Sequence, residues 1–121
     1  YARIRKSFGK AIGEHQAVQF MLAECAMEIY AVKSMVRHCA WLVESNLPAT
    51  KELSIVKASA TEMACRVYDH AMQVHGGMGL TNELRLEAGY RFVRSMRIPD
   101  GTSEIQRRTI ARRLLDGDGT F

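Results

Sequence analysis

Residues 48–79, PATKELSIVKASATEMACRVYDHAMQVHGGMG, decide the fold class. Val56, Ala60, Met63, Ala64, Val67, Ala71 and Val74 recur at three-to-four spacing, the period of one buried helix face. Pro48 can occupy the first turn of that helix, where its missing N–H leaves no hydrogen bond unmade. Gly76, Gly77 and Gly79 then make continued helix unfavourable, so the helix ends near Val74.

Upstream, a second helical pattern runs from about His15 to Val43. Phe20, Met27, Ala31 and Met35 fall on one face, and Leu22, Ala26, Ile29, Val36 and Ala40 on another. A helix apolar over so much of its circumference is expected at the centre of a bundle or at a subunit interface. Asn46, Leu47 and Pro48 separate it from the next helix. Downstream, a shorter helix is expected over about Glu83 to Ser95. Pro99-Asp100-Gly101 punctuates the chain, and a last helix spans about Ser103 to Leu115. Ser103 and Gln106 have the spacing of a capping box, and Gly117 and Gly119 close the helix. No alternating pattern favours a strand, so the expectation is all-α, an up-and-down four-helix bundle.

The chain has 121 residues, enough for one compact domain. It opens on Tyr1, with no signal segment or targeting motif, and is expected to be a piece of a longer protein. No stretch approaches the roughly 18 uninterrupted apolar residues of a membrane span. The net charge of +4 suits anionic ligands. Arg91, Arg94, Arg97, Arg107, Arg108, Arg112 and Arg113 gather late in the chain, but a nucleic-acid surface calls for a denser basic stripe with interleaved aromatics. Cys25, Cys39 and Cys65 are odd in number and form no CxxC pair, which fits buried, reduced thiols. The four histidines show no i, i+4 pairing with a second ligand type, so no metal site is expected. Met21, Met27, Met35 and Met63 read as core filler.

Three loops join unusual backbone to polar side chains. Arg5-Lys6-Ser7-Phe8-Gly9-Lys10, with His15-Gln16 behind it, is a basic glycine-containing loop ahead of a helix. It can hold a phosphate through a guanidinium, a hydroxyl and backbone N–H groups, or serve as a charged entry loop. Gln73-Val74-His75-Gly76-Gly77-Met78-Gly79 superficially resembles a dinucleotide fingerprint, but a helix precedes the glycines where that motif needs a strand. Here the glycines either stop a helix or let a ligand approach the backbone. Ile98 to Arg107, IPDGTSEIQR, places the Asp100 carboxylate just ahead of a helix. That position suits a base held ionised by the positive helix end, and equally a simple cap.

Taken in order, RKSFGK with HQAVQFMLAE, then QVHGGMGL, then DGTSEIQRRTIARRL closely resemble the C-terminal domain of acyl-CoA dehydrogenases, over essentially the whole chain. The resemblance implies a four-helix-bundle domain following an N-terminal helical domain and a middle β domain that lie outside this chain. It implies non-covalent FAD, an acyl-CoA substrate, a homotetramer built as a dimer of dimers, and an electron-transfer flavoprotein as acceptor. It places Arg5 and Ser7 on the flavin diphosphate across a subunit boundary, and Gln73 and Gly77 on the adenosine half. Thr102 and Glu104 fall near the bound flavin, and Phe8 and Gln16 match positions beside it.

The chemistry so implied is α,β-dehydrogenation of an acyl thioester. A base removes the α-proton as hydride leaves the β-carbon for the flavin. Hydrogen bonds to the thioester carbonyl, one from the base residue's own N–H, stabilise the developing enolate. Asp100 stands where the family keeps that base, although most members carry Glu there, usually after an aromatic residue. Asp is one methylene shorter, roughly 1.5 Å less reach. Arg107, seven residues on, is expected to turn back toward Asp100 and favour its ionised form. A base upstream of this chain, a flavin oxidase of the same superfamily, acting on a nitroalkane or an acyl-CoA, and a helical domain serving assembly alone are the alternatives. The isolated chain is expected to be inactive, and reduced cysteines favour cytoplasm or mitochondrial matrix.

Overall fold

The computed structural model describes residues 1–119. A hairpin opens the chain: β1 (Lys6–Ser7) pairs antiparallel with β2 (Lys10–Ala11), Lys6 opposite Ala11 and Ser7 opposite Lys10. The two turn residues, Phe8 and Gly9, both have positive φ, 49° and 82°. That is the pattern of a tight turn whose twist matches its strands. The sequence showed no strand because two residues a side are too few to alternate. A 3-10 turn (Ile12–Glu14) leads into α1 (Gln16–Glu44), and α2 (Thr50–His75) returns along it. A second 3-10 turn (Gly76–Leu80) joins α2 to α3 (Leu86–Ser95), and α4 (Ser103–Leu115) completes the chain.

The expected all-α bundle is present, with helix ends close to those read from sequence and three local shifts. Pro48 lies ahead of α2 rather than in its first turn, and Ala49 takes the cap position. α3 starts at Leu86, after Arg85 turns left-handed at φ 55°. The capping box at Ser103 is not formed. Thr102 is the cap, its hydroxyl oxygen accepting from the Ile105 N–H at 3.4 Å, and Ser103 is buried inside the first turn.

The hub is α2, against which α1, α3 and α4 all pack. Glu28 meets Arg66 at 2.9 Å and Cys25 meets His70 at 3.6 Å, so α1 runs antiparallel to α2. α3 comes close because it presents Gly89: a Cβ there would lie 2.3 Å from the Tyr68 ring. Gly79 is pressed on the Met72 backbone in the same way, at 2.7 Å. α4 heads back toward the start of α2, where the fully buried Lys51 donates to the Asp118 carboxylate at 2.9 Å and its carbonyl at 3.0 Å. Glu52 stands 3.4 Å from the same ammonium. Of the two places expected for α1, the centre is taken by α2. Phe20, Leu22, Met27, Tyr30, Trp41 and Val43 on α1 are exposed, as befits a helix that meets other surfaces. All three cysteines are free; Cys39 and Cys65 are buried and Cys25 is partly covered.

Candidate functional site

Two clusters hold the residues singled out from the sequence. The first forms where the hairpin meets the end of α2. Arg5, Gln73 and Gly77 line one groove of about 400 Å³, together with Tyr1, Ile12 and the chain from Val74 to Met78. Ser7, Phe8 and Gln73 line an adjoining groove of about 280 Å³ with His15 and Met21. The Tyr1 ring lies 4.3 Å from the His75 ring, tilted by 31°. Among the described residues, neither the Arg5 guanidinium nor the Gln73 amide has a hydrogen-bond or ion-pair partner. Gly77 is exposed, and a Cβ built there meets nothing within 4 Å, so the backbone is open to an incoming group. Gln16 is exposed at the first position of α1 and lines neither groove.

His15 holds the hairpin in place. Its Nε2 lies 3.3 Å from both the Ser7 hydroxyl and the Ser7 carbonyl, and its ring meets Phe8 edge-on at 6.2 Å. In the sequence His15 was one unpaired histidine among four; only the fold brings it to Ser7. Phe8 itself is 97 % exposed, an aromatic ring held out from a left-handed residue.

The second cluster is the turn before α4. Asp100 and Gly101 both have positive φ, 55° and 89°, and Asp100 is exposed. Among the described residues its carboxylate has no hydrogen bond or ion pair, and its N–H makes no backbone hydrogen bond. Arg107 does not turn back toward it as expected. Its guanidinium instead meets Glu62 on α2 through two bonds, at 2.7 and 2.8 Å, while Arg97 reaches the same carboxylate at 3.4 Å. A two-pronged bond to a shielded carboxylate outweighs anything an exposed Asp100 offers. Arg107 and its neighbours hold the Glu62 carboxyl down at about 2. Glu104, exposed on the first turn of α4, is lowered by its own backbone N–H and the Thr102 hydroxyl.

The turn meets α2 at Lys57, whose ammonium donates to the Gly101 carbonyl. Lys57 and Gln73 are sixteen positions apart on α2, which at 1.5 Å per residue separates the clusters by about 24 Å. One chain therefore does not bring Asp100 and Thr102 together with Arg5, Ser7 and Gln73. Among the described residues no group of three or more acidic, His or Cys side chains could hold a metal, and no helix is long and apolar enough to cross a membrane.

This helical frame with its two loop clusters matches the family model described as "Acyl-CoA dehydrogenase, C-terminal domain" over residues 1–115. The chain belongs to the acyl-CoA dehydrogenase family. It is 49 % identical over 115 residues to "Probable acyl-CoA dehydrogenase YngJ" of Bacillus subtilis (strain 168), covering 95 % of this chain and 30 % of that protein. It is 40 % identical over 115 residues to "Caffeyl-CoA reductase-Etf complex subunit CarC" of Acetobacterium woodii, with the same two coverages. Among solved structures, the "FAD complex of PigA" superposes with a TM-score of 0.91 at 30 % identity, over 94 % of this chain and 30 % of that one. This acyl-CoA dehydrogenase domain thus spans about 30 % of the length of the curated relatives it matches.

Proposed function

We propose that this domain forms part of an FAD-dependent acyl-CoA dehydrogenase in which Asp100 removes the α-proton of an acyl-CoA thioester. The observation that carries the reading is the Asp100 turn, which leaves a carboxylate and a backbone N–H together, exposed and unpaired among the described residues. The carboxylate is the proton acceptor. The Asp100 N–H donates to the thioester carbonyl, where negative charge develops as the proton leaves. Pro99, just ahead, removes no donor that this arrangement needs. Thr102 caps α4 and keeps its hydroxyl at the turn, with Glu104 beside it.

The cofactor fit rests on the groove beside the hairpin. Its donors, the Arg5 guanidinium, the Gln73 amide and the bare backbone at Gly77, suit a diphosphate joined to a nucleoside. Ser7 offers a hydroxyl at the rim, Phe8 an exposed ring, and Gln16 an amide at the start of α1. When bound, FAD supplies the acceptor for the hydride that leaves the β-carbon. Because the two clusters lie far apart on α2, each is taken to serve a different cofactor molecule, with the phosphate cluster reaching a neighbouring subunit's flavin. That arrangement accords with a homotetramer and with the exposed apolar surface of α1. The likeness to a subunit of a caffeyl-CoA reductase–Etf complex supports an electron-transfer flavoprotein as the redox partner.

The test is the full-length enzyme carrying Asp100→Asn, mixed with a panel of acyl-CoAs while flavin bleaching is followed. Loss of general-base catalysis should slow bleaching by roughly 10²- to 10⁴-fold with FAD retained. Undiminished bleaching would remove Asp100 from the base role and point to a base elsewhere in the protein.

A further inference from the structure

The turn that carries Asp100 is held from outside itself. Two successive residues with positive φ make no repeating backbone ladder, and such a conformation persists only where its surroundings enforce it. Two side chains do so here. Gln106, one turn into α4, donates through Nε2 to the Asp100 carbonyl at 2.9 Å and to the Gly101 carbonyl at 3.3 Å. Lys57, two turns into α2, donates to the same Gly101 carbonyl. Gly101 leaves no room for slack, since a Cβ there would sit 2.9 Å from Gln106 Nε2.

Gln106 and Lys57 differ in what they anchor to. Gln106 belongs to the helix that the turn begins, so it moves with the turn. Lys57 belongs to the hub helix and ties the turn to the rest of the domain. Of the three cations around this turn, Lys57 is the one that no carboxylate claims among the described residues. Arg97 and Arg107 both engage Glu62, whereas Lys57 has no ion pair among the described residues. Its charge lies on a neutral carbonyl of the residue after Asp100. An ammonium placed directly on the Asp100 carboxylate would occupy it and reduce its basicity. Placed on the neighbouring carbonyl, it fixes the backbone and leaves the carboxylate free.

We propose that Lys57 is a positioning residue for Asp100, tethering the Gly101 carbonyl to α2 so that carboxylate and N–H keep their place relative to the substrate; this rests on Asp100 being the base. The short Asp side chain makes the tether matter. With one methylene less than Glu, it has one fewer torsion with which to recover from a displaced backbone.

The experiment compares full-length Lys57→Met, Lys57→Gln, Lys57→Arg and Asp100→Asn, normalising bleaching to bound flavin. A displacement of about 1 Å should lower the limiting bleaching rate of Lys57→Met about 10²-fold. The acyl-CoA concentration giving half that rate should move less than about threefold, because binding is not what was lost. Lys57→Arg keeps the donor and should restore the rate to within about 10-fold of the parent. A wild-type rate per bound flavin in Lys57→Met, with Asp100→Asn inactive, would overturn the positioning role and leave the base assignment intact. Normal bleaching in Asp100→Asn would remove both. If Lys57→Met retains no flavin, Lys57→Gln is read in its place, since its shorter side chain cannot reach the carbonyl: an unreduced rate per bound flavin overturns the proposal.

Discussion

Asp100 occupies a left-handed backbone conformation, which bears on how a longer side chain would fare there. At φ 55° most L-residues are strained by about 1–2 kcal/mol, and Asp and Asn are the non-glycine residues most often found there. Asp100→Glu regains reach but adds bulk and entropy at a left-handed residue. Its bleaching rate should therefore stay below that of the parent, measured on the full-length enzyme at saturating acyl-CoA. Phe8 carries the same strain at φ 49° with almost no packing in return. Phe8→Asn should raise the thermal midpoint or leave it unchanged, yet lower the flavin-to-protein ratio after desalting. Part of this was legible in the chain: the order of the Arg5, Gln73 and Asp100 loops pointed to the family. What one residue could not announce was its partner. Arg107 was expected at Asp100, seven residues away, and the carboxylate it prefers is Glu62, forty-five residues away.

That same Glu62 fastens the α4 element to α2, and its acid behaviour is open to measurement. Its folded pKa of about 2 lies below the ordinary 4.5 because Arg107, then the Ser103 hydroxyl and Arg97, stabilise the ionised form. A group depressed in this way contributes stability above its unfolded value and loses it as pH falls toward the folded one. The contribution should be complete above about pH 4.5 and vanish by about pH 2, on the order of 2 kcal/mol once the exposure of Arg107 is allowed for. Glu62→Gln should be less stable than the parent at pH 6 and approach it at pH 3, as read from urea unfolding curves. Helix limits were clear because glycine and proline mark them, within one to three residues. The identity of the hub was not. Periodicity reports that a face is apolar but not what covers it, so α1, apolar on several sides, could be read as central or as facing another subunit.

The whole molecule carries more apolar surface than one chain can bury. Phe20, Met27, Tyr30 and Trp41 along α1 stay open, and among the described residues the fully buried side chains are those of Lys51 and Ser103, both polar. The chain alone should therefore self-associate at micromolar concentration, visible in sedimentation velocity as species heavier than its 13.6 kDa. In the full-length enzyme, reduced flavin should pass its electrons rapidly to an electron-transfer flavoprotein and slowly to air; the reverse order would mark an oxidase. The two clusters on α2 add a constraint of a different kind. A helix between two sites works as a ruler graduated in residues. Substitutions between Lys57 and Gln73 leave the graduation alone, but one inserted or deleted residue slides one cluster by about 1.5 Å and swings it through about 100° relative to the other. Across that interval a change of length should therefore cost more than a change of letter at any exposed position.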